Sequence, residues 1–566
     1  MPSLTKKSIK GRPYYYLRYT QRVHGVSRVV KTTYLGSLDK VVQRLLSSQA
    51  PPQPQAVEVL SFGEIVALYD IAAQLGLVEL IDQHLPKRQQ GLSTGQYLLL
   101  AAINRAASPT SKTQLARWYQ QTVLSRLLPA APGALSSQSF WNHLHDVGEK
   151  EIEAVERSLC QRLLERFDLS LRTLVYDGTN FFTYINTRTP SQLAARGHNK
   201  QKRNDLRQVN LGMLVSTDFH VPLFHKVYTG NVHDATEFKT ITAELQSRYR
   251  ELARHCEHIT LVFDKGNNSE DSFENLDPSG FHFVGSLVNS QHPELLEIPL
   301  QRFRRLNAAE LEEVRAYRTQ KRVFGVERTI VVTHNQNLLE GQLQGLMANL
   351  VKARNKLHEL QQRLRRWQEG KIKSGKAPRE ASVRAQIDKI LSGQFLKELI
   401  HCQVKGKSIP CLHFHTDAAA LARLIANQLG KTILFTDNGS WSDEEIVRAY
   451  RSQWQIEHAF RQMKNPHFLG WSPMYHWTDN MIRVHAFSCV LALLLSSLLQ
   501  RSLHHKQVTG SISHFLETLA GIKETVVMYP PAQSQGQPRT AVCLSKLNDE
   551  QKQLLEILQL QRYQAS

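Results

Sequence analysis

Cysteine is scarce in this chain: six in 566 residues, at Cys160, Cys256, Cys402, Cys411, Cys489 and Cys543, with no CxxC pair. That excludes a disulfide framework and fits reduced thiols. A long hydrophobic run is also missing, because the most apolar stretch, AFSCVLALLLSSLL at 486–499, covers 14 residues where a membrane span takes about 20. The N-terminal MPSLTKKSIKGRPYYYLRYT carries basic residues but no apolar segment of signal-peptide length, so the expectation is a cytosolic protein and no membrane partner. Acidic residues are outnumbered, 50 Asp and Glu against 70 Lys and Arg, for a formal net charge of +20. Such an imbalance favours a polyanionic partner, nucleic acid first. Charged residues at 21% and hydrophobic residues at 41% exclude disorder, collagen and coiled-coil rods as overall descriptions. The length suggests about two to four domains.

Much of the charge comes early. Residues 1–50 hold ten Lys or Arg and one acid, Asp39, and YYYLRYTQRVHGVSRVVKTTYLGS alternates aromatic or β-branched residues with polar ones. This reads as a basic β-meander with glycine turns, followed by a PPQPQ linker. From 57 to 169 the apolar spacing is helical, and the block is either a DNA-binding helical domain or scaffolding. From 170 to 291 the pattern turns extended: LRTLVYDGTNFFTYI, VNLGMLVSTDFHVPLFHKVYTG, a helix from about Asp234 to Cys256, then HITLVFDKGNNS. Strand, strand, strand, helix, strand is an α/β order. Residues 292–429 interrupt it with a β-hairpin around VFGVERTIVVTH and a helical hairpin. The first arm places Leu339, Leu343, Leu346, Leu350, Ala353, Leu357, Leu360, Leu364 and Trp367 at the 4-3 spacing of a coiled-coil seam, and the second arm runs to about Ile400. Between Val351 and Glu380 ten Lys or Arg face three acids, either a solvated face or a second phosphate site. Residues 430–499 return to α/β form, and 500–566 form a helical tail.

Two of the extended runs, TLVYD and TLVFD, end in Asp177 and Asp264. Carboxylates at the ends of neighbouring strands suit a hard divalent cation with oxygen ligands. A third element comes after GKTILFTDN: Ser442 and Glu445 make a capping box that starts a helix. On that helix Tyr450, Gln453, Glu457 and Lys464 project at about 0°, −60°, −20° and −40°, with Arg461 at about 20°. One face thus gathers Tyr, Gln, Glu, Arg and Lys beside Trp454 and Phe460.

Asp177 in YDGT, Asp264 in FDKGNNS and Glu457 in Y-x2-Q-x3-E-x6-K resemble the DDE triad of bacterial insertion-sequence transposases, in particular the group with a Y-x2-R-x3-E-x6-K signature and an insertion before the catalytic Glu. LSSQSFW, RGHNKQKRNDLRQVNLGM, PLFHKVYTGNVHDATEF and DNMIRVHAFSCVLALLL add to the resemblance, which runs to about Leu499. It implies an RNase H-like α/β catalytic domain in two parts, 170–291 and 430–499, interrupted by the mixed β and helical-hairpin insertion and preceded by the small β segment and the all-α domain. It further implies a transposase in the bacterial cytoplasm, associated with the nucleoid through DNA. The three carboxylates would hold Mg²⁺ or Mn²⁺, two ions in all, for phosphodiester cleavage at element ends and strand transfer into target DNA. Its partners would be terminal inverted repeats, target DNA and a second copy of the chain. Tyr450 and Lys464 match the signature and would contact phosphate; Gln453 replaces its Arg, and Arg461, four residues beyond Glu457, offers the nearest guanidinium.

The loop RGHNKQKRNDLR adds Arg196, Lys200, Lys202, Arg203 and Arg207 against Asp205, either a phosphate-tracking surface or an exposed loop. Cys402, Cys411, His413 and His415 have the residue types of a zinc site, but C-x8-C-x-H-x-H is not a zinc spacing and strand alternation explains CLHFH. A second reading from a different class is an element-derived DNA-binding regulator that has lost catalysis. A junction-resolving nuclease fits the length and the insertion less well.

Overall fold

The computed structural model describes residues 2–23, 26–47, 53–85, 91–199, 201–232, 244, 258–372, 374–406, 409–467, 469–472, 474–530 and 539–565. The chain divides into two compact units, one of residues 1–63, 121–123 and 518–566, the other of 64–120 and 124–517.

In the first unit β1 (Pro2–Ile9), β2 (Arg12–Val23) and β3 (Val26–Ser37) form an antiparallel meander. Its first turn, Lys10–Gly11, has φ of 52° and 78°, the two positive values that match a tight hairpin to the right-handed strand twist. Tyr16 and Tyr34 pack across β2 and β3 with ring centroids 5.1 Å apart. The same unit holds β4 (Ala56–Ser61), paired antiparallel with β16 (Lys523–Tyr529), which also pairs with β17 (Arg539–Leu544). Two expectations change here. The segment from Val57 begins as a strand rather than a helix, and the C-terminal tail is not wholly helical. AVEVLS and KETVVMY are both rich in β-branched residues, and each satisfies the other's backbone groups. Residues 51–52 of the expected linker lie outside the described residues.

The second unit is a mixed α/β structure built on a nine-stranded sheet of β5 (Thr173–Thr183), β6 (Arg207–Ser216), β7 (Pro222–Thr229), β8 (Thr260–Val262), β9 (His282–Ser286), β10 (Arg304–Arg305), β11 (Val314–Val323), β12 (Val326–Asn335) and β15 (Lys431–Thr436). The spatial order is β10-β11-β12-β15-β9-β8-β5-β6-β7. Among the described strands of this sheet, β5 with β8 and β8 with β9 run parallel and the other pairs antiparallel. The helix expected between Asp234 and Cys256 lies outside the described residues, apart from Glu244.

β6 is buried on both faces, as expected of a strand covered on two sides. Asp479–His505 packs on β7 and on the helices Thr94–Ala107 and Glu149–Phe167, while Trp454–Met463 lies over β5 and β6. The 14-residue apolar stretch, too short for a span by itself, continues at both ends into this 27-residue helix, which is long and apolar enough to cross a bilayer. Its apolar window is 94% buried inside the protein, so its hydrophobicity serves the core.

The 292–429 region also departs from a plain insertion. β11 and β12 form the expected hairpin, but β12 pairs with β15 and β15 with β9, which makes the hairpin the outer part of the large sheet. The helix Gln336–Gln368 is capped by the Asn335 side chain. It buries Leu346, Leu350, Ala353, Leu357, Leu360 and Leu364 against Val383, Ile387, Leu412 and Leu424. The second arm, Glu380–Ile390, stops ten residues early (400 − 390 = 10). Ser392 and Gly393 break it, and the chain turns through Phe395 at φ 64° into the two-stranded ribbon β13 (Ile400–Lys405) and β14 (Cys411–Thr416).

Candidate active site

β5 does not end at Asp177 but runs six residues past it, paired with β6 throughout (183 − 177 = 6). On its other side, pairing with β8 stops at Val175–Val262. The sheet therefore opens between β5 and β8 where Asp177 projects. The offset that pairs Val175 with Val262 also relates Asp177 to Asp264 (262 − 175 = 264 − 177 = 87). Asp264 leads into a 3-10 turn, Lys265–Asn267, and is exposed. Asp177 is half-buried, and its Oδ1 accepts from the Gly178 N–H at 2.8 Å.

The third carboxylate is placed by the capped segment after β15. Ser442 and Glu445 form the expected capping box. Asp443, fully buried, is gripped by Arg304 at 2.8 Å and Arg318 at 2.9 Å, which ties the helix start to β10 and β11. The helix is not continuous, however. It ends at Arg451 and resumes at Trp454. At the break the Ser452 hydroxyl donates to the Ala449 carbonyl at 2.5 Å, Gln453 N bonds Tyr450 O, and Gln455 N bonds Ser452 O. Bonds three residues back tighten the turn and rotate the second helical segment relative to the first, so the angles read from an ideal helix do not hold across Ser452.

The polar residues still converge. Asp177, Asp264, Glu457, Tyr450, Gln453, Arg461 and Lys464 all line one cavity of about 880 Å³. Lys464 Nζ donates to Thr179 Oγ1 at 2.6 Å and stands 5.3 Å from the Phe181 ring, which places its ammonium two residues from Asp177 on β5. The Tyr450 hydroxyl donates to Ser286 Oγ at 3.0 Å. Burial raises the Tyr450 pKa, and the charges of Asp264 and Glu457 raise it further.

The basic loop behaves differently. Arg207 donates to the carbonyls of Ala194 at 2.6 Å and Thr189 at 2.7 Å, fastening the 186–194 loop to β6. Arg203 makes a two-pronged pair with Asp205, both bonds 2.8 Å. Arg196 is exposed, and Lys200 lies outside the described residues. None of these three arginines lines the cavity; the loop contributes His198, Asn199 and Gln201 instead.

Amides are what the sequence reading missed. Asn180 and Asn210, opposite one another on β5 and β6, and Asn267 after Asp264 line the cavity. Asn267 is 2% exposed and its Oδ1 has no donor among the described residues, and the Gln453 Nε2 is likewise a buried donor with no acceptor. The available signal was an Asn inside the apolar run VNLGMLV, since a buried strand carries an amide only where it is satisfied or used.

Three carboxylates and several amides make a hard, oxygen-rich donor set, which fits Mg²⁺ or Mn²⁺ and not a thiophilic ion. Among the described residues no three His, Cys, Asp or Glu side chains are close enough to hold one ion together, so the carboxylates share a cavity without forming a single-ion cluster. The zinc alternative fails on alternation. Cys411, His413 and His415 sit on one face of β14, and Cys402 packs toward the core of the helical region.

Residues 170–495, more than half of the chain, match the family model of the transposase DDE domain. No curated protein matches the sequence. Among solved structures, the chain is similar to the piggyBac transposase synaptic complex with hairpin DNA, at 9% identity and a TM-score of 0.34 over 81% of this chain and 78% of that one. It is also similar to the Mos1 transposase paired-end complex with left transposon end, at 15% identity and a TM-score of 0.14 over 35% and 60%. The Mos1 mariner paired end complex with Mn gives 14%, 0.15, 35% and 59%. On the family match, the chain belongs to the DDE-domain family of DNA transposases.

Proposed function

We propose that this chain is the transposase of a bacterial insertion sequence, which cleaves DNA at the terminal inverted repeats of its element and joins the ends to target DNA. The observation that carries the reading is the meeting of Asp177, Asp264, Glu457 and Lys464 in one cavity from segments far apart in sequence. The strand order β7-β6-β5-β8-β9, with antiparallel pairs on one side of β5 and parallel pairs on the other, supports an RNase H-like core.

Asp177, Asp264 and Glu457 would hold two Mg²⁺ or Mn²⁺ ions, which when bound supply the Lewis acidity for in-line displacement at phosphorus. The protein's own groups do the rest. Lys464, steadied by Thr179, neutralises backbone phosphate beside the cut, and Tyr450 orients a phosphate oxygen when its hydroxyl proton turns from Ser286 to that oxygen. Arg461 lies across the same cavity and adds a guanidinium to the phosphate-binding wall. The orphaned Gln453 amide offers a neutral donor where the signature has Arg. Arg196, Lys200, Arg203 and Arg207 belong to a loop whose charge acts at longer range. Each element end would be held by one copy of the chain, so that a dimer brings the two together. The basic meander of residues 1–50 would supply part of the end-binding surface.

The test uses purified full-length chain, terminal-repeat duplex and Mg²⁺ or Mn²⁺. Wild type should nick the end, and Asp177→Asn, Asp264→Asn and Glu457→Gln should each bind the duplex normally while cleaving at least about a thousandfold less, about 4 kcal/mol in barrier. Specific binding with no cleavage by wild type in either ion would replace this reading with the catalytically silent regulator.

A further inference from the structure

Tyr450 also lines a second cavity, of about 630 Å³. It is lined by Lys265, next to Asp264, by Asn289, and by the first part of the helix Gln336–Gln368, where beside the buried Leu346 stand the more exposed Leu338, Gln342, Gly345 and Asn349. With Lys352 as origin and about 100° per residue, these four project at about 40°, 80°, 20° and 60°. Further along the helix Lys356, Arg363 and Arg366 project at about 40°, 20° and −40°. The face that lines the cavity thus continues along the helix as a stripe of Lys352, Lys356, Arg363 and Arg366, all exposed. Among the described residues Lys352, Lys356 and Arg366 form no ion pair, and Arg363 bonds only the neutral Gln386 amide, at 2.7 Å. Glu359 is the one acid within the stripe. The buried leucines of the helix face the core of this region, and among the described residues no carboxylate forms an ion pair with these four cations.

We propose that the second cavity and this stripe form one track for the DNA duplex flanking the scissile phosphate. The inference rests on the transposase reading and adds to it a location for the flanking DNA. Three observations support duplex DNA over other occupants. The charge is four to one in favour of cations, the cavity at the start of the stripe shares Tyr450 with the active site, and the helix is long enough to follow a duplex. From Leu338 to Arg366 it advances about 42 Å, the length of about 12 base pairs. Lys265 and the amides Gln342, Asn349 and Asn289 would meet sugar and phosphate oxygens near the active site, and the four cations would meet phosphates farther out. A partner defined by apolar contact is disfavoured, because the stripe from Lys352 to Arg366 carries no apolar side chain; of the exposed apolar residues of the helix, Met347 and Val351 project away from it, at about −140° and −100°, and Leu338 lies back at the cavity.

The test compares wild type with a K352Q/K356Q/R363Q/R366Q variant on two terminal-repeat duplexes, extending about 4 or about 16 base pairs past the cleavage position. Wild type should bind the longer duplex more tightly. Its plot of log affinity against log salt should be steeper on that duplex by about 3 to 4, since each neutralised phosphate contributes about 0.9. The variant should lose that gain and the added slope while binding and cleaving the shorter duplex as wild type does. A variant that keeps the length-dependent gain overturns the track. So does a variant whose only change is in self-association by light scattering, which would make the stripe a contact between copies. If wild type cleaves the short duplex but gains nothing from the long one, the track fails and the transposase reading stands. If wild type neither binds nor cleaves either duplex, both fall.

Discussion

Asp264 stands two residues beyond Val262 as Asp177 stands two residues beyond Val175, and Val175 and Val262 are partners in a parallel pair. Each aspartate thus follows a paired valine by two residues where the sheet opens, and both line the same cavity. Groups held this way act as a unit. Asp177→Asn, Asp264→Asn and the double variant should therefore lose cleavage to the same extent, far short of additivity. A double variant measurably worse than either single one, in single-turnover cleavage, would show that the two carboxylates work separately.

Arg461 and Gln453 line the same cavity with opposite liabilities. The guanidinium is exposed, and the Gln453 Nε2 is buried without an acceptor among the described residues. Bonds from a charged donor to phosphate are about twice as strong as neutral ones, so Arg461→Ala should lower cleavage more than Gln453→Ala at equal end binding. An orphaned buried donor costs about 1 to 3 kcal/mol. Gln453→Met should therefore raise unfolding free energy by about 1 kcal/mol in denaturant melts. If Gln453→Ala proves the worse for cleavage, the amide itself contacts DNA or orients Glu457.

The helical region has its own core, in which Leu350 is 4% exposed and Leu357 fully buried. Leu350→Asp and Leu357→Asp should each cost about 4 kcal/mol locally, from lost burial and a buried carboxylate. Limited proteolysis should then cut within 336–427, with cleavage of short duplexes largely retained. Loss of all activity together with global unfolding would show that this core and the sheet fold as one.

His220 sits at φ 45° in the turn between β6 and β7, with Nδ1 3.2 Å from Gln455 Oε1 behind the helix that carries Glu457. Burial holds its pKa down to about 4, helped by His458. A histidine with a depressed folded pKa takes its proton first in the unfolded chain. Stability is therefore full above about pH 6.5, falls as pH drops through the window to 4, and is lower by about 3 kcal/mol below it. His476, pushed down to about 3, and His485 shift the same way, so a substitution is needed to isolate His220. His220→Asn, which tolerates positive φ, should reduce the slope of unfolding free energy between pH 4 and 6.5 by about 1.4 kcal/mol per pH unit. An unchanged slope would mean that His220 titrates normally.

Residues 1–50 carry ten Lys or Arg against one acid. Deleting them should flatten the salt dependence of end binding by about 0.9 for every phosphate that the meander neutralises. An equal slope would remove the meander from the DNA-binding surface.

The sequence by itself determined what depends on neighbours along the chain. The aromatic and β-branched pattern of 14–37, the Ser442–Glu445 box, the 4-3 seam from Leu346 to Leu364 and the identities of the candidate carboxylates are all local patterns, and local hydrogen bonding and periodicity specify them. Tertiary structure alone decided which distant segments meet. Val57 pairs with Val527, β12 with β15, and Val175 with Val262, beyond which Asp177 and Asp264 line one cavity. Backbone pairing carries little side-chain code, so these partners are chosen by the whole sheet. It also decided that Arg207 serves a loop instead of the cavity, and that Asn267 Oδ1 and Gln453 Nε2 are left without partners among the described residues. Whether a cation is engaged by a carbonyl or left free depends on where the fold places that carbonyl, which the residue type does not record.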